Sequence, residues 1–165
     1  MDRDAVASHI PRLRRYARAL VGDRHRADDL VQDTLERALN KLHLWRPGSD
    51  MRAWLFAIMH NVFVNQVRGR RHDADALADD DVIAAPAGSV DRLEIRDLEA
   101  ALMAIPAEQR AVVLLVGLEE MSYAEAAKSL GVPIGTVMSR LARGRERLRH
   151  LMTGAPAASG LKVIK

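Results

Sequence analysis

The sequence predicts an all-α protein built from two small helical domains that are joined by a flexible acidic linker. Apolar residues recur every three or four positions along several stretches, which is the spacing of an amphipathic helix. No stretch alternates apolar and polar residues as a half-buried strand does. An acidic segment without lysine or arginine interrupts the helical pattern near the middle of the chain. These three observations together predict the fold class.

The composition narrows the class of protein. Aromatic residues make up only 4% of the 165 residues, so each small core depends on Leu, Val, Ile, Ala and Met. Helices that pack locally suit such small cores. The absence of cysteine excludes disulfides and thiolate metal sites and fits a reducing cytoplasm. No apolar run is typical of a signal peptide or a membrane-spanning helix. We therefore expect a cytoplasmic protein that is not itself inserted in a membrane.

The first predicted domain covers residues 1–71. Helical spacing of apolar residues predicts one helix near 9–21 and a longer one near 23–42. The segment RPGSD combines proline with glycine and predicts a turn. After this turn, MRAWLFAIMHNVFVNQVRGRR is apolar on nearly all sides, as expected of a central helix that packs against several others.

Residues 72–91 predict a flexible linker, because they carry six aspartates, a proline and a glycine but no lysine or arginine. A chain of this length has an r.m.s. span of about 25 Å. The second predicted domain covers residues 92–152, and residues 153–165 predict a mobile tail. The four helices of the second domain are predicted near 91–104, 107–117, 123–130 and 134–152.

The last two of these helices have the features of a helix-turn-helix. Ser122 and Glu125 form a capping-box sequence at the start of the first helix. Ala127 is small where the two helices must touch, and Gly131 suits the left-handed turn that follows. Val137 lies six residues later, inside the second helix. This spacing predicts a groove-binding pair of helices.

A polar row on the final helix predicts contact with nucleic acid. At 100° per residue its members fall within about 60° of one another, away from the apolar side. Ser139 and Thr136, both near the start of the helix, offer hydroxyl groups to a phosphate or a base. Arginine binds guanine edges and phosphates through its planar fork. The alternative is a basic face that is merely solvated, but Glu146 is the only acid on the helix. The row consists of Thr136, Arg140, Arg143 and Arg147.

The first domain carries two different polar surfaces. Acidic and amide side chains lie opposite the apolar stripe of the helix near 23–42, and they predict either a solvated face or a site for a basic protein. Asn61, Asn65 and Arg68 form a polar stripe on the central helix, which predicts either base contacts or buried asparagines bonded to neighbouring helices. Trp45 is a candidate for stacking on an exposed base, whereas Trp54 is expected in the core.

The chain resembles a bacterial RNA polymerase sigma factor of the extracytoplasmic-function (ECF) group over residues 9–152. RADDLVQDTLERAL resembles the helix with which the family binds core RNA polymerase. MRAWLFAIMHNVFVNQVRGRR resembles the helices that read the promoter −10 element. IPAEQRAVVLLVGLEEMSYAEAAKSLGVPIGTVMSRLARGRERL resembles the domain that reads the −35 element. The three segments follow the family's order.

The resemblance implies a role for each group of candidate residues. Four of them are expected to bind the basic clamp of core RNA polymerase: Asp29, Gln32, Asp33 and Glu36. Four are expected near the −10 element, with loop 43–50 holding a flipped base: Trp45, Asn61, Asn65 and Arg68. Five are expected in the −35 major groove: Thr136, Ser139, Arg140, Arg143 and Arg147.

The resemblance also implies the partners and excludes others. Core RNA polymerase, promoter DNA and an anti-sigma factor are expected partners, and a membrane-bound anti-sigma factor would hold the protein near the inner membrane. No cofactor, metal or small-molecule substrate is expected.

Three other classes of function compete with this one. An enzyme is disfavoured because the six histidines show no metal-ligand spacing, and no phosphate loop or nucleophile elbow is present. A simple helix-turn-helix regulator leaves the acidic and asparagine-bearing helices unexplained. A sigma mimic that occupies an anti-sigma factor would not need the arginines of the last helix, and the chain retains Arg140, Arg143 and Arg147.

Overall fold

The structure, a computed structural model, describes the backbone of residues 2–74 and 90–153 and the side chains of residues 2–70 and 97–153. Within these ranges the chain forms α-helices, one 3-10 helix at Leu42–Leu44 and no strand, so the predicted all-α fold class is confirmed. The α-helices are α1 Asp2–Ser8, α2 Ile10–Val21, α3 Arg24–Asn40, α4 Met51–Ala74, α5 Val90–Ala104, α6 Ala107–Gly117, α7 Tyr123–Leu130 and α8 Ile134–Thr153.

In the first half of the chain, α3 packs against both α2 and α4. Leu13 of α2, Leu30 of α3 and Leu55 of α4 are each wholly buried. The rings of Tyr16 and Phe56 meet edge to face with their centroids 5.1 Å apart, which is a favourable aromatic geometry. The apolar periodicity of the sequence therefore places these helices correctly, although it missed α1 and the 3-10 helix.

The long helix α4 is central, as its nearly continuous apolar surface predicts. It contacts α1 and α3 in the first half and α7 in the second. Met51, Met59 and Val62 are buried on different turns of the helix. Burying apolar side chains around most of a helix is possible only when several elements cover it.

The second half begins with α5 and ends with the long α8, which packs on α5, α6 and α7. Pro106 lies immediately before α6 as its N-cap residue. Ser122 and Glu125 form the predicted capping box at the start of α7, with both reciprocal hydrogen bonds present. Gly131 ends α7 with φ at 68°, as predicted for the turn into α8.

The two halves pack directly against each other, because α2 contacts α5 and α6 while α4 contacts α7. Arg110 of α6 is only 7% exposed. Its guanidinium donates to the carbonyl of Leu20 at 2.8 Å, across the junction, and to those of Leu102 and Ile105 at 2.7 and 2.9 Å within its own half. The hydroxyl of Ser129 donates to the carbonyl of Ala53 at 3.3 Å, also across the junction.

The predicted linker overlaps two helix ends. The final residues of α4, up to Ala74, and the first residues of α5, from Val90, fall within the predicted range 72–91. Residues 75–89, and the predicted tail after Thr153, lie outside the described residues.

Candidate nucleic-acid and polymerase interfaces

The turn between α7 and α8 fixes the orientation of the last helix. Val137 and Leu141 of α8 are buried, at 0% and 3% exposure, and Ala127 of α7 is buried with them. Gly131 supplies the left-handed backbone that the short turn requires. With its apolar side fixed in this way, α8 must present its other side outward.

The predicted polar row on α8 divides into exposed and half-buried members. Ser139, Arg143 and Arg147 are exposed, whereas Thr136 and Arg140 are half-buried. The hydroxyl of Ser139 donates to the carbonyl of Thr136 at 3.2 Å within the helix. Arg143 and Arg147 form no ion pair with any residue that the structure describes.

Glu146, the only acid on α8, contacts two residues outside the predicted polar row. Its carboxylate lies 3.0 Å from the guanidinium of Arg149 and 2.8 Å from the imidazole of His150. It therefore does not neutralise Arg143 or Arg147, and those two guanidinium groups remain available to an external anion. Arginine is suited to such a partner, because its donors match phosphate and guanine edges.

A cavity of about 370 Å³ lies between α3 and α4, and the polar stripe of the central helix lines it. Asn61, Asn65 and Arg68 all line it, and all three side chains are exposed. The alternative of buried asparagines bonded to neighbouring helices is therefore excluded. Ile58 and Val64 of α4 add apolar side chains to the same lining. Such a lining suits the faces and edges of a nucleobase.

Arg37 and Lys41 line the same cavity, and the sequence analysis did not single them out. They lie four residues apart and so share one side of the α3 terminus. The i, i+4 spacing of these two cations is visible in the sequence, but only the packing of α3 against α4 turns it toward the cavity. With Arg68 they give the cavity three cationic side chains, enough to attract a phosphate beside a bound base.

Trp45 occupies a different place. Its side chain is half-buried against the core, and the residue does not line the cavity. The indole N–H is buried without a hydrogen-bond partner among the described residues. The structure therefore brings the two asparagines and Arg68 together but leaves Trp45 in the separate loop that follows α3.

Most side chains of the candidate polymerase face on α3 are exposed to solvent. Asp29, Gln32 and Glu36 are exposed, and Asp33 is half-buried. The side-chain amide of Gln66, on α4, donates to Asp33 at 3.0 Å. Two carboxylates and one amide thus point to solvent from a helix whose opposite side is fixed in the core.

One titratable group of the central helix is influenced by a charge on the last helix. His60 of α4 is half-buried. Burial lowers the pKa of His60, and the positive charge of Arg140 on α8 lowers it further.

Neither a metal site nor a membrane span was found in the parts of the chain that the structure describes. Residues 2–74 and 90–153 contain no cluster of three or more histidines or acids able to hold a metal ion. No helix in these ranges is long and apolar enough to cross a membrane.

One helical chain thus carries an acidic face on α3, an asparagine-lined cavity between α3 and α4, and exposed arginines on α8. Two family models match it: "Sigma2 domain of PhyR" over residues 6–60 and "Sigma-70, region 4" over residues 95–148. The chain is 40% identical over 153 residues to the ECF RNA polymerase sigma factor EcfG of Rhodopseudomonas palustris, with 91% of this chain and 84% of that protein covered.

Solved structures of sigma factors show the same fold. The sigma factor RpoE in complex with the anti-sigma factor NepR, from Bartonella quintana, matches with a TM-score of 0.77 and 37% identity, covering 93% of this chain and 97% of that one. CnrH in complex with the cytosolic domain of CnrY matches with a TM-score of 0.69 and 28% identity over 93% and 88% of the two chains. The chain belongs to the ECF RNA polymerase sigma factors. It is an alternative sigma factor, which binds core RNA polymerase and directs it to promoters.

Proposed function

We propose that this sigma factor uses three separate surfaces to start transcription. Asp29, Gln32, Asp33 and Glu36 on α3 bind a basic clamp on core polymerase. The cavity between α3 and α4 binds the −10 element, and α8 enters the major groove of the −35 element. The observation that carries the proposal is the exposure of Arg143 and Arg147, which have no ion pair among the described residues, next to a buried apolar side of the same helix.

The cavity supplies a physical means of opening the duplex. Unpairing and unstacking a base costs a few kcal/mol, and capture of that base by a protein pocket offsets the cost. Asn61 and Asn65 offer amide donors and acceptors to a base edge, while Arg37, Lys41 and Arg68 offer charge to the adjacent phosphate. Because the polymerase supplies the chemistry, this chain needs no catalytic residue. The two DNA contacts reinforce each other through effective concentration, since one chain holds both.

An anti-sigma factor is the proposed negative regulator. Two of the similar structures hold a sigma factor bound to an anti-sigma factor, NepR in one and CnrY in the other. A membrane-bound anti-sigma factor would keep this chain in the cytoplasm close to the inner membrane until a stimulus releases it.

Run-off transcription with core RNA polymerase over a library of promoter fragments tests the proposal. The wild-type chain should direct specific transcripts, and the double variant Arg143→Ala with Arg147→Ala should lose them while still co-purifying with core polymerase. The matched control is Arg14→Ala with Arg18→Ala, which removes two exposed arginines from α2. Normal transcription by the α8 double variant would refute the −35 assignment.

A sigma mimic is the second candidate, because the family model matched by the first half describes the sigma2 domain of PhyR. A mimic would bind an anti-sigma factor and direct no transcript from any fragment. The free arginines of α8 favour a chain that reads DNA. Specific transcripts from the wild-type chain in the same library experiment would exclude the mimic.

A further inference from the structure

Glu119 lies at the junction between the two halves, in the turn between α6 and α7. Its side chain is fully buried, and one carboxylate oxygen, Oε2, is 3.2 Å from the guanidinium of Arg15 on α2. Its main-chain carbonyl accepts a hydrogen bond of 2.8 Å from Arg52 on α4. One residue of the second half therefore contacts two helices of the first.

The carboxylate of Glu119 is poorly compensated for a buried charge. Its other oxygen, Oε1, is buried with no hydrogen-bond partner among the described residues. The side chain of Arg15 is 54% exposed, so water screens this ion pair, the one that Glu119 forms among the described residues. Burying a charge with incomplete pairing is unfavourable, and replacing such a group by an apolar one often stabilises the fold.

The neighbouring residue adds backbone strain to the same turn. Glu120 has φ at 57°, a left-handed conformation that is uncommon for residues other than glycine. The turn between α6 and α7 thus contains both a partly unpaired buried charge and an uncommon backbone conformation. The buried charge raises the free energy of the packed arrangement, in which Glu119 is desolvated.

The packed arrangement cannot read a promoter, if the proposed function holds. Elements centred at −10 and −35 are about 25 base pairs apart, or roughly 85 Å at about 3.4 Å per base pair. A packed chain of this length is only about 40 Å across, from a radius of gyration of about 15 Å. The halves must come apart before both elements are bound.

Separation leaves the other buried charge of the junction well bonded. Arg110 would lose its hydrogen bond to Leu20 but keep those to Leu102 and Ile105, which belong to its own half. Glu119 would regain water on both oxygens. The junction is therefore built so that opening relieves one buried charge without leaving another unpaired.

We propose that Glu119 is a destabilising element that keeps the closed arrangement of the two halves weak enough to open for promoter binding. This inference rests on the proposed function for the reason why the halves must open. The claim that Glu119 destabilises the closed arrangement does not depend on that function. A ligand can shift a two-state equilibrium only by its differential affinity for the two states. An unfavourable group at the junction lowers the differential affinity that polymerase and promoter must supply.

The test compares two substitutions that remove opposite members of the Glu119–Arg15 pair. Glu119→Met removes the buried charge, so we expect a higher urea midpoint, an unchanged or smaller radius of gyration by X-ray scattering, and run-off transcription reduced roughly fivefold. Arg15→Ala leaves the carboxylate buried and unpaired, so we expect a lower urea midpoint and a larger radius of gyration. Glu119→Gln keeps the shape and should follow Glu119→Met with a smaller effect.

Arg14→Ala, which removes an adjacent exposed arginine of α2, is the control and should behave as the wild type. If Glu119→Met and Glu119→Gln lower the urea midpoint and enlarge the molecule as Arg15→Ala does, Glu119 stabilises closure and the inference is overturned. Unchanged transcription and an unchanged urea midpoint in both Glu119 variants would overturn it as well. Failure of the wild-type chain to direct any transcript would refute the proposed function instead, while the urea and scattering results would still decide the inference.

Discussion

The side-chain amide of Gln66 on α4 donates a 3.0 Å hydrogen bond to the carboxylate of Asp33 on α3. This bond joins the helix that lines the −10 cavity to the helix that carries the candidate polymerase face. α3 also contributes Arg37 and Lys41 to the cavity itself. The proposed surface for polymerase and the proposed surface for the −10 element therefore belong to one packed unit, and neither can move far without the other.

Reversing charge on the α3 face should weaken core binding. Asp29→Lys with Asp33→Lys would present two cations to a basic clamp and would also break the bond from Gln66. We expect at least tenfold weaker binding to core polymerase, measured by fluorescence anisotropy with a labelled chain. The control is Asp97→Lys with Glu99→Lys, which reverses two exposed acids on α5. Equal affinity for the two double variants would make the α3 face an ordinary solvated surface.

Substitutions in the cavity should impair strand opening more than duplex binding. Asn61→Ala or Arg37→Ala removes a contact worth about 1–3 kcal/mol with an unstacked base or its phosphate, or roughly five- to 150-fold in initiation. A template that is already mismatched over the −10 element should restore much of the loss, because its bases need no unpairing. Asn40→Ala, an exposed position that does not line the cavity, serves as the control. No difference between matched and mismatched templates would contradict the base-capture role.

The free energy of unfolding should fall at mildly acidic pH because of His60. Burial first, and Arg140 second, lower its pKa below the ordinary value of 6.5, so the folded protein holds this proton more weakly than the unfolded chain does. The stabilising effect is complete above about pH 6.5 and is lost as the pH falls through the folded pKa. His9, whose pKa burial and Arg12 also lower, contributes in the same direction.

Urea unfolding at pH 7.5 and pH 5 measures this effect. His60→Gln should reduce the difference between the two pH values, and Arg140→Ala should reduce it less, because burial is the larger cause. His25→Gln, at an exposed histidine of α3, is the control. A pH dependence that is identical in wild type and His60→Gln would show that other groups are responsible.

Three glycines of the helix-turn-helix should respond differently to alanine. Gly131→Ala should cost about 1–2 kcal/mol of unfolding free energy, because φ is 68° there although the site has open space. Gly144→Ala should cost about 1–3 kcal/mol, because the new methyl group would lie 2.8 Å from Cγ2 of Val113. Gly135→Ala, in an open helical position, should gain about 0.5–1 kcal/mol.

Chemical denaturation of the three single variants measures these differences. The order of stability should be Gly135→Ala, then wild type, then the other two. A stabilised Gly131→Ala variant would mean that the turn between α7 and α8 does not need its left-handed residue.

The local pattern of apolar and capping residues in the sequence was enough to predict where the helices lie and which residues cap them. Apolar spacing predicted α2, α3 and α4, and the pair Ser122 and Glu125 predicted the start of α7, because amphipathicity and capping depend on residues within a few positions of each other. The same locality grouped Arg143 and Arg147 on one side of α8. These features need no knowledge of what packs where.

Only the tertiary structure decided which polar residues are buried and which surfaces adjoin. Arg110 in α6 and Glu119 in the turn after it are charged residues, yet both are buried where the two halves meet. The cavity that joins Arg37 and Lys41 to Asn61 exists only because α3 and α4 pack side by side. Burial and adjacency arise from contacts between residues distant along the chain, and the period of one helix carries no information about the element that covers it.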